Sequence, residues 1–217
     1  MSGTYKQEIS ATKNLPGCLI VLLDQSGSMA EQFGADKRSK AVAAARAVNT
    51  ALESLVDQCT KGESVRDYFH VGVIGYGTNA AQELLGGGSG PAGLLTASEL
   101  ESKAQVEEIE TDEDDGTGKL KVEKRSKWFD SVNSGGTPMD DAFQQAAEKL
   151  KQWVAKYPNS FPPMVLNITD GEPNVPEAAK RRPKPCKQSA PVMAKHCSSI
   201  VTSRLADLPQ WNIPRQI

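Results

Sequence analysis

Residues 24–28 read Asp24-Gln25-Ser26-Gly27-Ser28, a carboxylate and two hydroxyls with a glycine between the hydroxyls. They follow directly on the apolar run Leu19-Ile20-Val21-Leu22-Leu23. Two more oxygen-bearing stretches lie downstream, Gly135-Gly136-Thr137-Pro138-Met139 and Ile168-Thr169-Asp170-Gly171. Hydroxyl and carboxylate oxygens are hard ligands, and with no thiol or imidazole beside them they suit Mg2+, Mn2+ or Ca2+ rather than zinc or copper. Each stretch also has a plainer explanation. Asp, Ser and Gly are turn residues. Thr137 can serve as a helix N-cap, with Pro138 at the first helical position and Asp140 closing a capping box.

The elements that carry these residues decide between the two accounts. A first strand is expected at Cys18 to Leu23, then a helix from about Asp36 to Gln58 with Ala41, Ala45, Val48, Leu52 and Leu55 on one face. A second strand at Tyr68 to Tyr76 is closed by Gly75 and Gly77. Thr137 to Met139 opens a helix reaching about Ala155, with Phe143, Ala147, Leu150 and Val154 as its apolar face, and a further strand at Met164 to Ile168 ends in Thr169-Asp170-Gly171. Strand, helix, strand, helix, strand is the pattern of a parallel α/β sheet covered on both faces. In such sheets ligands bind outside the carboxyl ends of the strands. Asp24 and Asp170 both end core strands, so the three stretches are expected along one edge of the sheet.

Two other segments invite a ligand and do not hold up. Gly86-Gly87-Gly88-Ser89-Gly90-Pro91-Ala92-Gly93 reads as a flexible loop, because it lacks the Gly-Lys-Ser/Thr ending of a phosphate cradle. The acidic run Glu107 to Asp115 does not make a calcium loop: counted from Asp112, Gly116 stands fifth instead of sixth. Val106, Ile109, Leu120 and Val122 around Asp114-Asp115-Gly116-Thr117-Gly118 instead predict a hairpin over about 105–128.

Composition narrows the remaining choices. The chain has 217 residues, enough for one domain with a real core, and its net charge of −2 offers no footprint for nucleic acid or an anionic membrane. The polar start Met1-Ser2-Gly3-Thr4-Tyr5 and the absence of a long apolar run predict a cytoplasmic protein with no membrane partner. Cys18, Cys59, Cys186 and Cys197 are widely spaced, and Cys18 and Cys59 are expected as buried reduced thiols. His70, inside a strand, is expected to be packed rather than catalytic, and no lysine or histidine is evident beside the oxygen cluster.

The three motifs at 24–28, 135–139 and 168–171, in this order and spacing, resemble a von Willebrand factor type A domain with a metal-ion-dependent adhesion site, of a bacterial cytoplasmic type. The likeness covers about residues 15–179, leaving 1–14 as an N-terminal extension. It implies a Rossmann-like, doubly wound sheet in the order 3-2-1-4-5-6, with the strand before Asp24 central. It also implies that Ser26 and Ser28 bind the metal directly, that Thr137 does so directly or through water, and that Asp24 and Asp170 act through water and hydrogen bonds. The implied function is a non-enzymatic, metal-dependent binding module for a partner protein's Asp or Glu carboxylate. Bacterial relatives of this kind work beside kinases, phosphatases or AAA-type ATPases, which implies a scaffold or signalling role. The alternatives are a metal-assisted phosphoryl hydrolase using Asp24, and a non-functional remnant.

Residues 180–217 depart from that likeness. They are basic and proline-rich, from Lys180-Arg181-Arg182-Pro183-Lys184-Pro185 onward, and show no convincing strand. A permissive back-translation of residues 191–201, read in a shifted frame, gives an Asp-Gly followed by an apolar run, so a frameshift near residue 180 is the expectation and a divergent, partly disordered tail the alternative. Either leaves the strand at 164–168 as an open sheet edge, an aggregation hazard.

Overall fold

The apolar run at 19–23 becomes the centre of a mixed sheet because it can be buried on both sides. In the computed structural model, which describes residues 11–33, 38–77, 80–114, 120–170 and 200–204, it lies within strand β1, Gly17–Asp24. Helix α1 follows at Lys40–Cys59 and strand β2 at Phe69–Tyr76. Strands β3, Ala81–Glu83, and β4, Leu95–Thr96, precede the short helix α2, Ala97–Ser102. A hairpin of β5, Gln105–Asp114, and β6, Leu120–Lys127, leads to α3, Met139–Lys156, and then to β7, Met164–Thr169, and β8, Ile200–Arg204.

The main sheet has six strands in the order β8-β7-β1-β2-β3, with β4 also pairing β2. β1 pairs in parallel with β2 and β7, and β7 in parallel with β8, whereas β3 and β4 run antiparallel to β2. The chain is thus an α/β protein with a mostly parallel central sheet, and β1 is central as expected. Alternate residues of β1 feed two cores. Val21 and Leu23 pack with Ala41, Ala44, Ala45, Val48 and Leu52 of α1, while Cys18, Ile20 and Leu22 pack with Met139, Ala142, Ala146, Leu150 and Trp153 of α3. Burial on both faces is why β1 reads as an unbroken apolar run rather than an alternating one.

Several expectations need correction. α1 begins at Lys40, not near residue 36, because Ser39 caps it by accepting from the Val42 N–H and because Arg38–Ser39 pairs with Gln32–Phe33 in a small ladder. The buried stripe of α3 runs through Met139, Ala142, Ala146, Leu150 and Trp153; Phe143 and Val154 flank it. Spacings of three and four along that stripe are those of one helix face, and its alanines let the helix sit close to the sheet. The glycine-rich loop is tied down, since Lys103 Nζ donates to the carbonyls of Leu85 and Gly87, Lys149 Nζ to that of Ala92, and the Ser89 N–H to Glu99.

The largest correction concerns the edge of the sheet. Ile200–Arg204 lies in parallel register on β7, with Val165 opposite Ile200 and Thr169 opposite Arg204, so β7 is not an open edge. Three β-branched residues, Ile200, Val201 and Thr202, favour a strand there whatever the composition around them. The turn residues 115–119, Cys186, Cys197 and the rest of the segment after 170 lie outside the described residues.

The hairpin stands where the turn signal predicts it, with Lys127 opposite Gln105 and Val122 opposite Glu110. Its root is fastened to α1: buried Asn49 donates to the Phe129 carbonyl and accepts from the Trp128 N–H, and Glu53 accepts from the Ser126 N–H. His70 is buried in the α3 core, where its Nδ1 accepts from Trp153 Nε1 at 3.2 Å and its ring stacks on Tyr157. Burial, and then the nearby Lys156, pushes its pKa below the ordinary value, in keeping with a packing role. No helix among the described residues is long and apolar enough to cross a membrane.

Candidate metal centre

Register alone brings the two strand-ending carboxylates together. Leu23 stands opposite Ile168 in the β1–β7 pair, so Asp24 falls beside Thr169, with Asp170 one residue further on. Asp24 is only 2% exposed. Its Oδ1 accepts from the Ser26 N–H at 2.9 Å, folding the loop back on itself, and its Oδ2 accepts from the Thr169 hydroxyl at 2.7 Å. Both oxygens are therefore engaged in shaping the site, consistent with a carboxylate that orients its neighbours rather than one that faces solvent.

The hydroxyls and the second carboxylate form a chain. Ser26 Oγ lies 3.0 Å from Ser28 Oγ, and Ser28 Oγ donates to Asp170 Oδ1 at 3.0 Å. Three oxygens from two loops thus sit within hydrogen-bond distance of their neighbours at one strand-end edge. Among the described residues no group of three or more His, Cys, Asp or Glu side chains could hold a metal, so an ion here would draw on the hydroxyls. The donor set fits a hard divalent cation and gives a soft one nothing to favour it.

The third loop is stitched to the first through its backbone. The Gly27 N–H donates to the Gly135 carbonyl at 3.2 Å and the Ser134 N–H to the Gln25 carbonyl at 2.8 Å. Gly135 takes a φ of 84°, the left-handed conformation that glycine adopts without strain, and so can turn its carbonyl toward Gly27. Thr137 enters two residues later, at the mouth of α3. It is not the N-cap: Pro138 holds that position, no side chain caps the helix, and the capping box with Asp140 does not form. That plainer account of Thr137 is overturned, because the Met139 N–H turns back to the Thr137 carbonyl at 2.8 Å and shifts the helix start by one residue.

One participant escaped the sequence. Lys40 Nζ donates to Asp170 Oδ2 at 3.0 Å and to Glu31 Oε2 at 2.6 Å, so a lysine does stand beside the site. These bonds, that from Glu31 first and that from Asp170 second, hold its pKa above the ordinary lysine value. The reason is local: the Lys40 N–H donates to the Glu31 carbonyl, which holds the first turn of α1 beside that residue. Lysine is ordinary at the first position of a helix, so nothing in the sequence marks it.

Gln25 and Tyr76 complete the setting. Tyr76 donates its hydroxyl to Asn167 Oδ1 at 2.9 Å across β1, and burial, then the Asp24 charge, raises its pKa well above the ordinary tyrosine value. The buried Gln25 side chain lies against Gly75, with its Nε2 unpartnered among the described residues.

No family model matches the chain, and no curated protein matches it. Among solved structures it is similar to a von Willebrand factor type A protein from Catenulispora acidiphila, at 16% identity and a TM-score of 0.34, over 72% of this chain and 34% of that one. It is also similar to an adhesive tip pilin from Group B Streptococcus agalactiae, at 15% identity and a TM-score of 0.31, over 73% of this chain and 46% of that one. The chain spans less than half the length of either. Likenesses this slight carry no weight of their own, and the site rests on its own geometry.

Proposed function

We propose that this chain is a metal-dependent protein-binding module of the von Willebrand factor type A kind, with Ser26 and Ser28 as direct ligands, Thr137 binding directly or through water, and Asp24 and Asp170 as their organisers. The observation that carries the proposal is the unbroken run from Ser26 Oγ through Ser28 Oγ to Asp170 Oδ1, each step 3.0 Å. A divalent ion held there supplies an electrophilic position for an anionic oxygen, since neutral hydroxyls leave most of its charge unspent. Asp24 keeps Ser26 in place through the backbone, and Thr169 keeps Asp24 in place through its hydroxyl. The partner is a protein that presents an Asp or Glu carboxylate, in a scaffold or signalling assembly that includes a kinase, phosphatase or AAA-type ATPase. The free, buried thiols of Cys18 and Cys59 support a cytoplasmic, reducing setting.

Lys40 gives the hydrolase reading one observation in its favour, because a cation beside two aspartates can brace a phosphoryl group. The geometry favours binding nonetheless. Asp24 is buried and each of its oxygens already accepts a hydrogen bond from the protein, which leaves it poorly placed to attack phosphorus or to take a proton from water. Lys40 is already shared by two carboxylates. Capture from a cell extract in Mg2+ and in EDTA tests the reading, with Ser26→Ala as control. The expected result is a partner retained only in Mg2+ by the wild type and released when its contacting Asp is changed to Asn. Equal capture in EDTA, or by Ser26→Ala, contradicts it.

A further inference from the structure

Lys40 stands between two carboxylates in unlike surroundings. The Glu31 side chain is 69% exposed and that of Asp170 only 5%. Water can take over from Lys40 at Glu31, but at Asp170 it has little access. Both Asp170 oxygens already accept from protein groups, Oδ1 from Ser28 Oγ and Oδ2 from Lys40 Nζ. We infer that Lys40 is a tethered counter-cation that sets the metal affinity of this site: it neutralises Asp170 when the site is empty and yields toward Glu31 when a divalent ion binds. The inference rests on the metal-binding reading above and adds to it a residue outside the three motifs.

The electrostatics lead to this directly. Asp24 and Asp170 end neighbouring strands and are both poorly exposed, so two bare carboxylates would repel each other with little water to screen them. An ammonium on Asp170 removes that penalty. The same ammonium works against a dication arriving among Ser26, Ser28 and Asp170, because like charges a few ångströms apart in a partly buried site repel strongly. Lys40 has a second partner already in place at 2.6 Å, and its flexible stem lets the charge move without losing its last ion pair. The site therefore holds an ion less tightly than its ligands alone would, and Lys40 pairs with Asp170 again when the ion leaves.

Calorimetric titration of the full chain with Mn2+ tests this, using the wild type, Lys40→Met, Lys40→Arg, Glu31→Gln and Ser26→Ala. Lys40→Met should bind at least about tenfold more tightly than the wild type, Lys40→Arg should stay near it, and Glu31→Gln should bind more weakly because the lysine loses its alternative partner. A folded Lys40→Met that binds no more tightly overturns the inference. If the wild type then still binds and Ser26→Ala does not, the metal-binding reading stands without it. Binding by Lys40→Met but not by the wild type supports the inference, and binding by neither overturns it together with the site. Should Lys40→Met fail to fold, Glu31→Gln decides: weaker binding supports the inference, and unchanged or tighter binding overturns it.

Discussion

The Thr169 hydroxyl donates to Asp24 Oδ2 at 2.7 Å, joining the last residues of two adjacent parallel strands inside the protein. This bond fixes the carboxylate whose other oxygen holds the Ser26 N–H, so one contact sets both the strand ends and the 24–28 loop.

Thr169→Val removes that donor and keeps the side-chain shape, leaving a buried carboxylate oxygen short of a partner. It should cost about 1–3 kcal/mol of stability. Urea denaturation should show a lower midpoint with an unchanged slope, and Mn2+ binding should weaken as Asp24 loses its orientation. An unchanged midpoint would mean that Asp24 is held by other groups.

Gly77 follows β2 and backs directly onto the 24–28 loop. A Cβ there would fall 2.4 Å from the Gln25 carbonyl oxygen, closer than such atoms can approach, and the obstacle is backbone rather than a side chain that can swing away. Gly77→Ala should therefore push the 24–28 loop outward, with a destabilisation of about 1–3 kcal/mol and a loss of Mn2+ affinity. A variant with wild-type affinity and melting temperature would show that this loop has room to move.

His70 makes stability fall in mild acid. Its folded pKa is depressed, chiefly by burial, so the neutral ring is the stable form inside the protein. At a pH above the unfolded value of about 6.5 neither state is protonated, and the stabilisation is complete. As pH falls from there toward the lower folded value, the unfolded chain takes up a proton that the folded chain does not. Stability should then drop with a limiting slope of about 1.4 kcal/mol per pH unit and level off below the folded pKa. Denaturation midpoints between pH 7.5 and 4.5 should show this component in the wild type and lose it in His70→Gln.

Much of this was legible in residues 19–28. An apolar run too long to alternate marked a strand covered on both faces, and the oxygens after it marked the strand-end edge. The α1 face followed from its period, because Ala41, Ala45, Val48 and Leu52 share one side whatever packs on them. What sequence could not give depended on partners distant along the chain. Lys40 is ordinary by type, and only the return of its N–H to the Glu31 carbonyl sets it beside Asp170, 130 residues away along the chain. Thr137 carries a capping signature that its own backbone overrides by returning the Met139 N–H to its carbonyl. Strand β8 lies in proline-rich, basic sequence, where composition hides a five-residue segment with three β-branched residues that β7 then pairs.

The most direct measurement is the anomalous scattering of Mn2+ soaked into crystals of the chain. One strong site is expected within about 2.0–2.6 Å of Ser26 Oγ and Ser28 Oγ, with Asp24 still bonded to Thr169, and no such site in Ser26→Ala. Mn2+ bound elsewhere, or none at the 24–28 loop at millimolar concentration, would contradict it.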